Sequence, residues 1–155
     1  MTAHGLRVPF WPGIATAREI AAAGGDRSVG TQHVLQALLR HGDTDAATIL
    51  RTAGADEASV VAALAGIAGT GCRTGAVPTE RIPVSPRVLA LIRTAGHPSA
   101  AHGKVSDLEV LRALLRDDEP SLARLVLSAL GAERHLLHAL PTDRVDDGGG
   151  DLVGA

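Results

Sequence analysis

A stretch of twelve residues occurs twice in this chain, and the duplication limits the folds open to it. Residues 29–40 align with residues 105–116, an offset of 76 positions, and both copies end in Ala-Leu-Leu-Arg. Residues 49–55 and 126–132 form a second matching pair, and both members of that pair keep a glycine near their end. In the first pair the apolar positions recur at i, i+1, i+4 and i+5, which places them on one face of a helix.

Duplication of a helical unit has a structural consequence. One amphipathic four-helix unit exposes an apolar face that its own copy can cover. We therefore predict an all-α fold in which two four-helix repeats, related by a pseudo-twofold axis, form one compact helical domain. Chance similarity between two helical hairpins rich in alanine and leucine is the alternative.

Local signals predict four helices in the first repeat. An alanine-rich helix over residues 14–23 ends at a pair of glycines, and Thr31 is in position to cap the second helix. The third helix stops at Gly54, and Asp56 caps the fourth.

The second repeat carries equivalent signals. The pair Ser85-Pro86 predicts the start of its first helix. Ser106 and Glu109 form a predicted capping box for its second helix, because each side chain can reach the backbone N–H of the other residue. Two further helices are predicted over residues 122–130 and 136–140.

Breaker residues set the predicted domain boundaries. Prolines, glycines and a lack of helical period mark the first residues, a central stretch and the carboxyl-terminal end. We expect an amino-terminal arm over 1–12, a folded domain over 13–140 with repeats at 13–68 and 84–140 joined by a linker at 69–83, and a disordered tail over 141–155.

Composition excludes several classes of function. A chain of 155 residues fits one domain, and its aromatic content of only 1% requires an aliphatic core. The net charge of -2 offers no basic face to nucleic-acid phosphates. No apolar run reaches the ~20 residues of a membrane span, and the first residues lack the pattern of a signal peptide. We expect no nucleic-acid or membrane partner and a cytoplasmic location.

Two segments resemble those of a known family. Residues 29–35, V-G-T-Q-H-V-L, are similar to its V-G-T-E-H-x-L segment, and residues 82–87, I-P-V-S-P-R, to the I-P-F-T-P-R that opens its second repeat. The step from His102 to Val105 fits its H-x-x-V. The family is the amino-terminal (Clp repeat) domain of ClpA- and ClpC-like ATPases, and the resemblance covers residues 13–140.

The resemblance implies a binding role. In that family the domain is tethered to ATPase rings and receives substrates, adaptor proteins and, in some cases, cyclic-peptide antibiotics. The Gly103-Lys104 pair of this chain lacks the further glycine and the hydroxyl residue of a phosphate-binding loop, so we expect no ATP hydrolysis. The expected function is that of a stand-alone binding module. It would be an adaptor, decoy or regulator of a Clp protease system, or a protein that sequesters a peptide-like natural product.

The resemblance also indicates the partners. They would be a peptide, a protein substrate or adaptor, or a cyclic-peptide-like small molecule, and no cofactor is implied. In some ClpC-type domains the glutamate of each G-T-E-H segment helps hold phosphorylated arginine. This chain has Gln32 and Leu108 at those positions. Neither side chain supplies a carboxylate for a guanidinium, so we do not expect phosphoarginine recognition.

Candidate ligand-binding residues lie at the opening turns of the second and sixth helices and beside the linker. Grooves between helices bind extended or cyclic peptides by apolar contact, and the two repeats create such grooves. A helix-terminal histidine is more often a structural hydrogen-bonding partner, but its position keeps His33 among the candidates. The candidates are Thr31, Gln32, His33, Ser85, Arg87, Asp107 and Leu108.

We assign no catalytic residue and no metal site. His135 and His138 are spaced i, i+3 near Glu133, but no fourth ligand accompanies them. Cys72 precedes an arginine that would lower the pKa of a thiol, yet no base or oxyanion site is evident beside it.

Two other functions remain open from the sequence. A small enzyme of secondary metabolism would reuse the groove as an active site, with Cys72, His33, His97 and His102 as the first residues to test. A homodimeric interaction protein without a ligand is the other, since the sequence leaves the oligomeric state open.

Overall fold

The computed structural model describes residues 10–41, 44–68, 82–96, 104–116 and 121–140. These residues form eight helices and two isolated β-bridges but no strand, which confirms the predicted all-α class. The helices are α1 (Gly13–Ala23), α2 (Thr31–Arg40), α3 (Asp45–Thr52), α4 (Glu57–Ala68), α5 (Pro86–Gly96), α6 (Asp107–Arg116), α7 (Leu122–Ala129) and α8 (Glu133–Ala139).

The predicted helix starts are largely confirmed. Ser106 accepts from the Glu109 N–H at 3.2 Å, and the Glu109 carboxylate accepts from the Ser106 N–H at 2.9 Å, which completes the capping box of α6. Asp56 accepts from the N–H of Ser59 at 2.8 Å, and Ser85 accepts from that of Val88 at 3.3 Å. These side chains satisfy donors that would otherwise be unpaired at the start of a helix.

The predicted cap of α2 is wrong. Thr31 is already the first residue of the helix, and Gly30 occupies the capping position. The Thr31 hydroxyl instead accepts from the N–H of Ala123 at 3.2 Å, so it caps the start of α7 in the other half of the chain. Sequence gave no sign of this contact because the two residues are distant in the chain.

Turns of the same design follow α1, α3 and α7, and in the first of them Gly25 has a φ angle of +75° and the N–H of Asp26 donates to the Ala21 carbonyl at 2.9 Å. Gly54 and Gly131 have φ angles of +97° and +70°. In both turns the residue after the glycine donates its N–H to the carbonyl five positions back, at 2.9 Å. This is the Schellman arrangement, which favours glycine because a Cβ is unfavourable at positive φ. The predicted stop at Gly54 is confirmed.

The core is centred on α2 and α6. Helix α2 contacts α1, α3, α4, α5, α6 and α7, and α6 contacts α2, α3, α5 and α7. One continuous cluster of buried side chains joins the two halves of the chain, and it is aliphatic except for Trp11, which is 1% exposed. The core therefore matches the low aromatic content of the sequence.

Contacts between the halves are reciprocal. A parallel bridge joins Val29, before α2, to Val84, before α5, and another joins Phe10, before α1, to Lys104, before α6. Helix packing follows the same pattern, with α2 on α7 and α6 on α3, and with α4 on α7 and α8 on α3. A twofold axis between the repeats would produce such pairs of equivalent contacts, but the symmetry itself stays a prediction.

Several predicted features lie outside the described residues. They are most of the amino-terminal arm, linker residues 69–81, the tail over 141–155, Cys72, His97 and His102. The division of the chain into arm, repeats, linker and tail stays a prediction. None of the described helices has the length and apolar character needed to cross a membrane.

Candidate functional site

The structure separates the candidate residues into two groups. We call the first group, which opens α2 and α5, the first opening site. Its two helix starts are joined where the N–H of Val29 donates to Pro83 at 2.9 Å and the Val29 carbonyl accepts from Ser85 at 3.1 Å. The first opening site consists of Thr31, Gln32, His33, Ser85 and Arg87.

The second opening site lies at the starts of α1 and α6. Its predicted members are Asp107 and Leu108, and the structure adds Trp11 and Gly13 to them. The two helix starts are joined where the N–H of Val105 donates to the Phe10 carbonyl at 2.8 Å. The candidates therefore line two places of similar construction rather than one groove.

His33 is held on both ring nitrogens. Its Nδ1 accepts from the N–H of Gly30 at 2.9 Å, and its Nε2 lies 2.8 Å from the carboxylate of Asp26. Since Nδ1 accepts, Nε2 carries the proton and donates it to Asp26. Burial lowers the pKa of the His33 ring and outweighs the hydrogen bond and the negative charge of Asp26, which raise it. His33 therefore works as a neutral structural residue.

Thr31 and Ser85 also have internal partners. The Thr31 hydroxyl caps α7, and the Ser85 hydroxyl caps α5. Gln32 and Arg87 are half-buried residues of the first opening site, and the Nε of Arg87 is itself buried. The Gln32 amide lies over Gly30, where a Cβ would come within 2.4 Å of its Oε1.

Asp107 joins three parts of the chain at the second opening site. One carboxylate oxygen accepts from the indole N–H of Trp11 at 2.8 Å, and the other lies 2.9 Å from His41 Nδ1. The other nitrogen of His41 is 3.4 Å from the Thr16 hydroxyl. This network connects α1, the end of α2 and the start of α6.

Of these four side chains, only Asp107 was among the candidates predicted from the sequence. Trp11 and Asp107 are 96 residues apart in the chain, and His41 and Asp107 are 66 apart. Contacts over such separations leave no pattern in the local sequence. The one available signal was the single tryptophan of the chain, placed two residues before a glycine.

The order hydroxyl, imidazole, carboxylate also occurs in hydrolase triads. Here the second carboxylate oxygen is already bound to an indole, and the Asp107 side chain is only 10% exposed. The three groups lie where helices meet, and we assign them the task of joining α1, α2 and α6. Leu108, the next residue, is partly buried and packs against the core.

No group of three or more His, Cys, Asp or Glu side chains in the described ranges could hold a metal ion. His135 and His138 are exposed on α8. Glu133, the acid that sequence analysis placed beside them, forms an ion pair with Arg124.

A shallow depression of about 480 Å³ lies at the turn between α7 and α8. Its lining includes Gly131, Arg134 and His135, and none of the seven candidate residues contributes to it. It is therefore separate from both opening sites.

The family model for the Clp repeat (R) N-terminal domain matches residues 8–129. A search of curated proteins found no match. The matched range includes both opening sites and all of the first seven helices.

Proposed function

Because the chain belongs to the family of Clp repeat N-terminal domains, we propose that it is a protein-binding module of a Clp system that receives a peptide segment at its first opening site. The proposed roles are those of an adaptor, decoy or regulator of a Clp protease. A peptide-like natural product would use the same site, because its backbone amides and side chains offer the same contacts.

The proposal is supported by the two kinds of side chain at the first opening site, those with internal hydrogen bonds and those that are partly exposed. Internal hydrogen bonds of Thr31, His33 and Ser85 hold the backbone at the starts of α2, α5 and α7. Gln32 and Arg87 remain partly exposed on that fixed frame. A rigid frame reduces the entropy lost when a partner binds, and this favours recognition. Both ring nitrogens of His33 are already hydrogen-bonded within the chain, Nδ1 to the Gly30 N–H and Nε2 to Asp26, so neither faces a ligand.

The chemistry of the site favours peptide ligands. The amide of the half-buried Gln32 offers both donor and acceptor groups to a ligand. These groups suit the carbonyls, amides and carboxylates of a peptide. They do not suit phosphoarginine, whose guanidinium requires a carboxylate partner.

The test is to add the purified protein to a reconstituted Clp ATPase and protease that degrade a casein reporter. We expect the protein to change the degradation rate in a saturable way. The Gln32→Lys variant should raise the half-maximal concentration at least tenfold, because a residue central to an interface typically contributes this much.

The matched control is Ala129→Lys, which adds the same charge at an exposed position at the end of α7. This variant should act like the wild type. Equal responses of the two lysine variants would contradict the proposed site, and an unchanged degradation rate with wild-type protein would contradict the proposed function. A cyclic-peptide ligand would instead raise the Tm of the wild type and not that of Gln32→Lys.

A further inference from the structure

The segment formed by Phe10 and Trp11, directly before α1, contacts the second opening site. The carbonyl of Phe10 accepts from Val105 at 2.8 Å, and Phe10 forms a parallel bridge with Lys104. The next residue, Trp11, turns its indole inward, where it is 1% exposed and donates to Asp107 at 2.8 Å. The segment thus contacts the site through its backbone and through a specific side chain, as a bound extended peptide does.

The chain provides room for the indole at Gly13. A Cβ on that residue would lie 2.2 Å from one ring carbon of Trp11 and within 2.8 Å of two more ring atoms. The ring is too bulky to shift by that much without leaving its place. The indole can therefore occupy this position only because glycine at position 13 has no Cβ.

The first opening site is not filled in this way. There Ser85 precedes the first proline of α5 as Trp11 precedes Pro12, and its small hydroxyl only caps its own helix. Two residues after Ser85 the first site has Arg87, whereas two residues after Trp11 the second site has Gly13. In both sites the valine before α2 or α6 donates its N–H to the segment before α5 or α1, although the acceptor lies two residues before Ser85 and one residue before Trp11. An aromatic ring fills the second site, whereas Ser85 brings no ring to the first.

We propose that Phe10 and Trp11 act as an intramolecular ligand of the second opening site, and that this site takes an extended peptide carrying tryptophan when the segment is displaced. The inference rests on the proposed function, in that it treats the opening sites as peptide sites. It implies that the first opening site alone is available to a partner while the segment is in place.

The covalent connection explains why the segment would exclude competitors. A short tether gives a ligand an effective concentration of about a millimolar. An external peptide at micromolar concentration cannot compete with it. Removing the Trp11 side chain leaves the Phe10 backbone contact but removes the indole contact, and should therefore allow an external peptide that carries tryptophan to compete for the second site.

The experiment uses the full-length Trp11→Ala variant and a fluorescently labelled peptide that copies residues 6–13, LRVPFWPG. We expect saturable binding by fluorescence anisotropy, at least tenfold tighter to Trp11→Ala than to the wild type. Trp11 is the only tryptophan of the chain. An unlabelled peptide would therefore also report its own burial by a blue shift of its emission in the presence of the variant.

Two controls identify the indole contact. A peptide with alanine in place of tryptophan should bind the Trp11→Ala variant at least tenfold more weakly. Adding Asp107→Ala to Trp11→Ala should weaken binding of the original peptide, because the indole N–H then loses its acceptor. A folded Trp11→Ala variant that does not bind the peptide would overturn the inference.

A second variant addresses folding. Gly13→Ala keeps the tryptophan but forces it from its place, so its emission should shift to the red and its quenching by acrylamide should rise at least twofold. The helical circular dichroism should be retained, since alanine favours helix more than glycine does. Loss of the helical signal in both variants would overturn the inference, because the indole would then belong to the core. The peptide assay contains no Clp component, so its failure is distinguishable from a failure of the proposed function.

Discussion

At the scale of single residues, His33 shows how a side chain suited to chemistry is committed to structure. The glutamate or glutamine of a capping box usually reaches back to the first N–H, and here an imidazole does so. A proton on Nδ1 would point at the N–H of Gly30 and break this hydrogen bond. The neutral ring is therefore the form that the folded protein favours.

This preference predicts that stability depends on pH. Burial lowers the pKa of His33 in the folded protein below its ordinary value of 6.5. The unfolded chain then binds a proton that the folded chain does not, so His33 contributes fully above pH 6.5 and its contribution falls as the pH drops below that value. The free energy of unfolding should decrease by no more than about 1.4 kcal/mol per pH unit from this group. Urea denaturation between pH 8 and pH 5 measures the slope.

Two variants separate the hydrogen bonds of His33 from its titration. His33→Gln retains an acceptor for the Gly30 N–H and should flatten the slope with a small loss at pH 8. His33→Ala leaves buried groups unpaired and should cost about 1 to 3 kcal/mol at every pH. His138→Gln, at an exposed position of α8, controls for the change of side chain. A wild-type slope in His33→Gln would contradict the assignment.

At the scale of elements, the helices begin and end through local chemistry. The capping box of α6 and the caps of α4 and α5 use side chains within three residues of the helix start. The two Schellman turns after α3 and α7 close helices of equal length, eight residues each. These devices operate over a few residues, so the sequence displays them.

Substitution by alanine should change the free energy of unfolding in opposite directions at glycines with positive φ and at a glycine within a helix. Gly54→Ala and Gly131→Ala should each lower the free energy of unfolding by roughly 1 to 2 kcal/mol, because a Cβ is unfavourable at positive φ. Gly66→Ala, within α4 with open space around its Cα, should raise it by up to about 1 kcal/mol. Thermal denaturation followed by circular dichroism measures all three. A stabilised Gly54→Ala or Gly131→Ala variant would show that the turn does not require glycine.

At the scale of the whole molecule, the two halves of the chain interlock. Thr31 of the first half caps a helix of the second, and Asp107 of the second binds Trp11 and His41 of the first. Buried apolar side chains of both halves form one cluster. Neither half has a complete set of partners within itself.

Interlocking predicts that the protein unfolds in a single step. In urea, the fluorescence of Trp11 and the circular dichroism of all helices should give superimposable transitions. Thr31→Val, which removes a hydrogen bond between the halves, should shift both transitions to lower urea by the same amount. Thr48→Val, at an exposed position of α3, is the matched control. Separate transitions for the two probes would show that the halves fold independently.

For the candidate residues, the sequence indicates which of them open a helix but not which groups their side chains contact. Gln32 and Arg87 could be predicted as surface residues at helix starts, and they are partly exposed there. Thr31 and Asp107 were predicted beside them, but their side chains point into contacts with the other half. Position along a helix indicates where a residue lies and does not indicate which distant group it meets.

The amino-acid sequence alone was sufficient to predict the helical fold class, the caps of α4, α5 and α6, and the end of α3 at Gly54. Each of these depends on hydrogen bonds and backbone angles within a few residues, where the chain supplies both partners. Only the tertiary structure determined three features: the buried position of Trp11, the hydrogen-bond network through Asp107, and the cap that Thr31 provides to α7. Their partners are 66 to 96 residues apart, and packing of the aliphatic core is what brings them within reach.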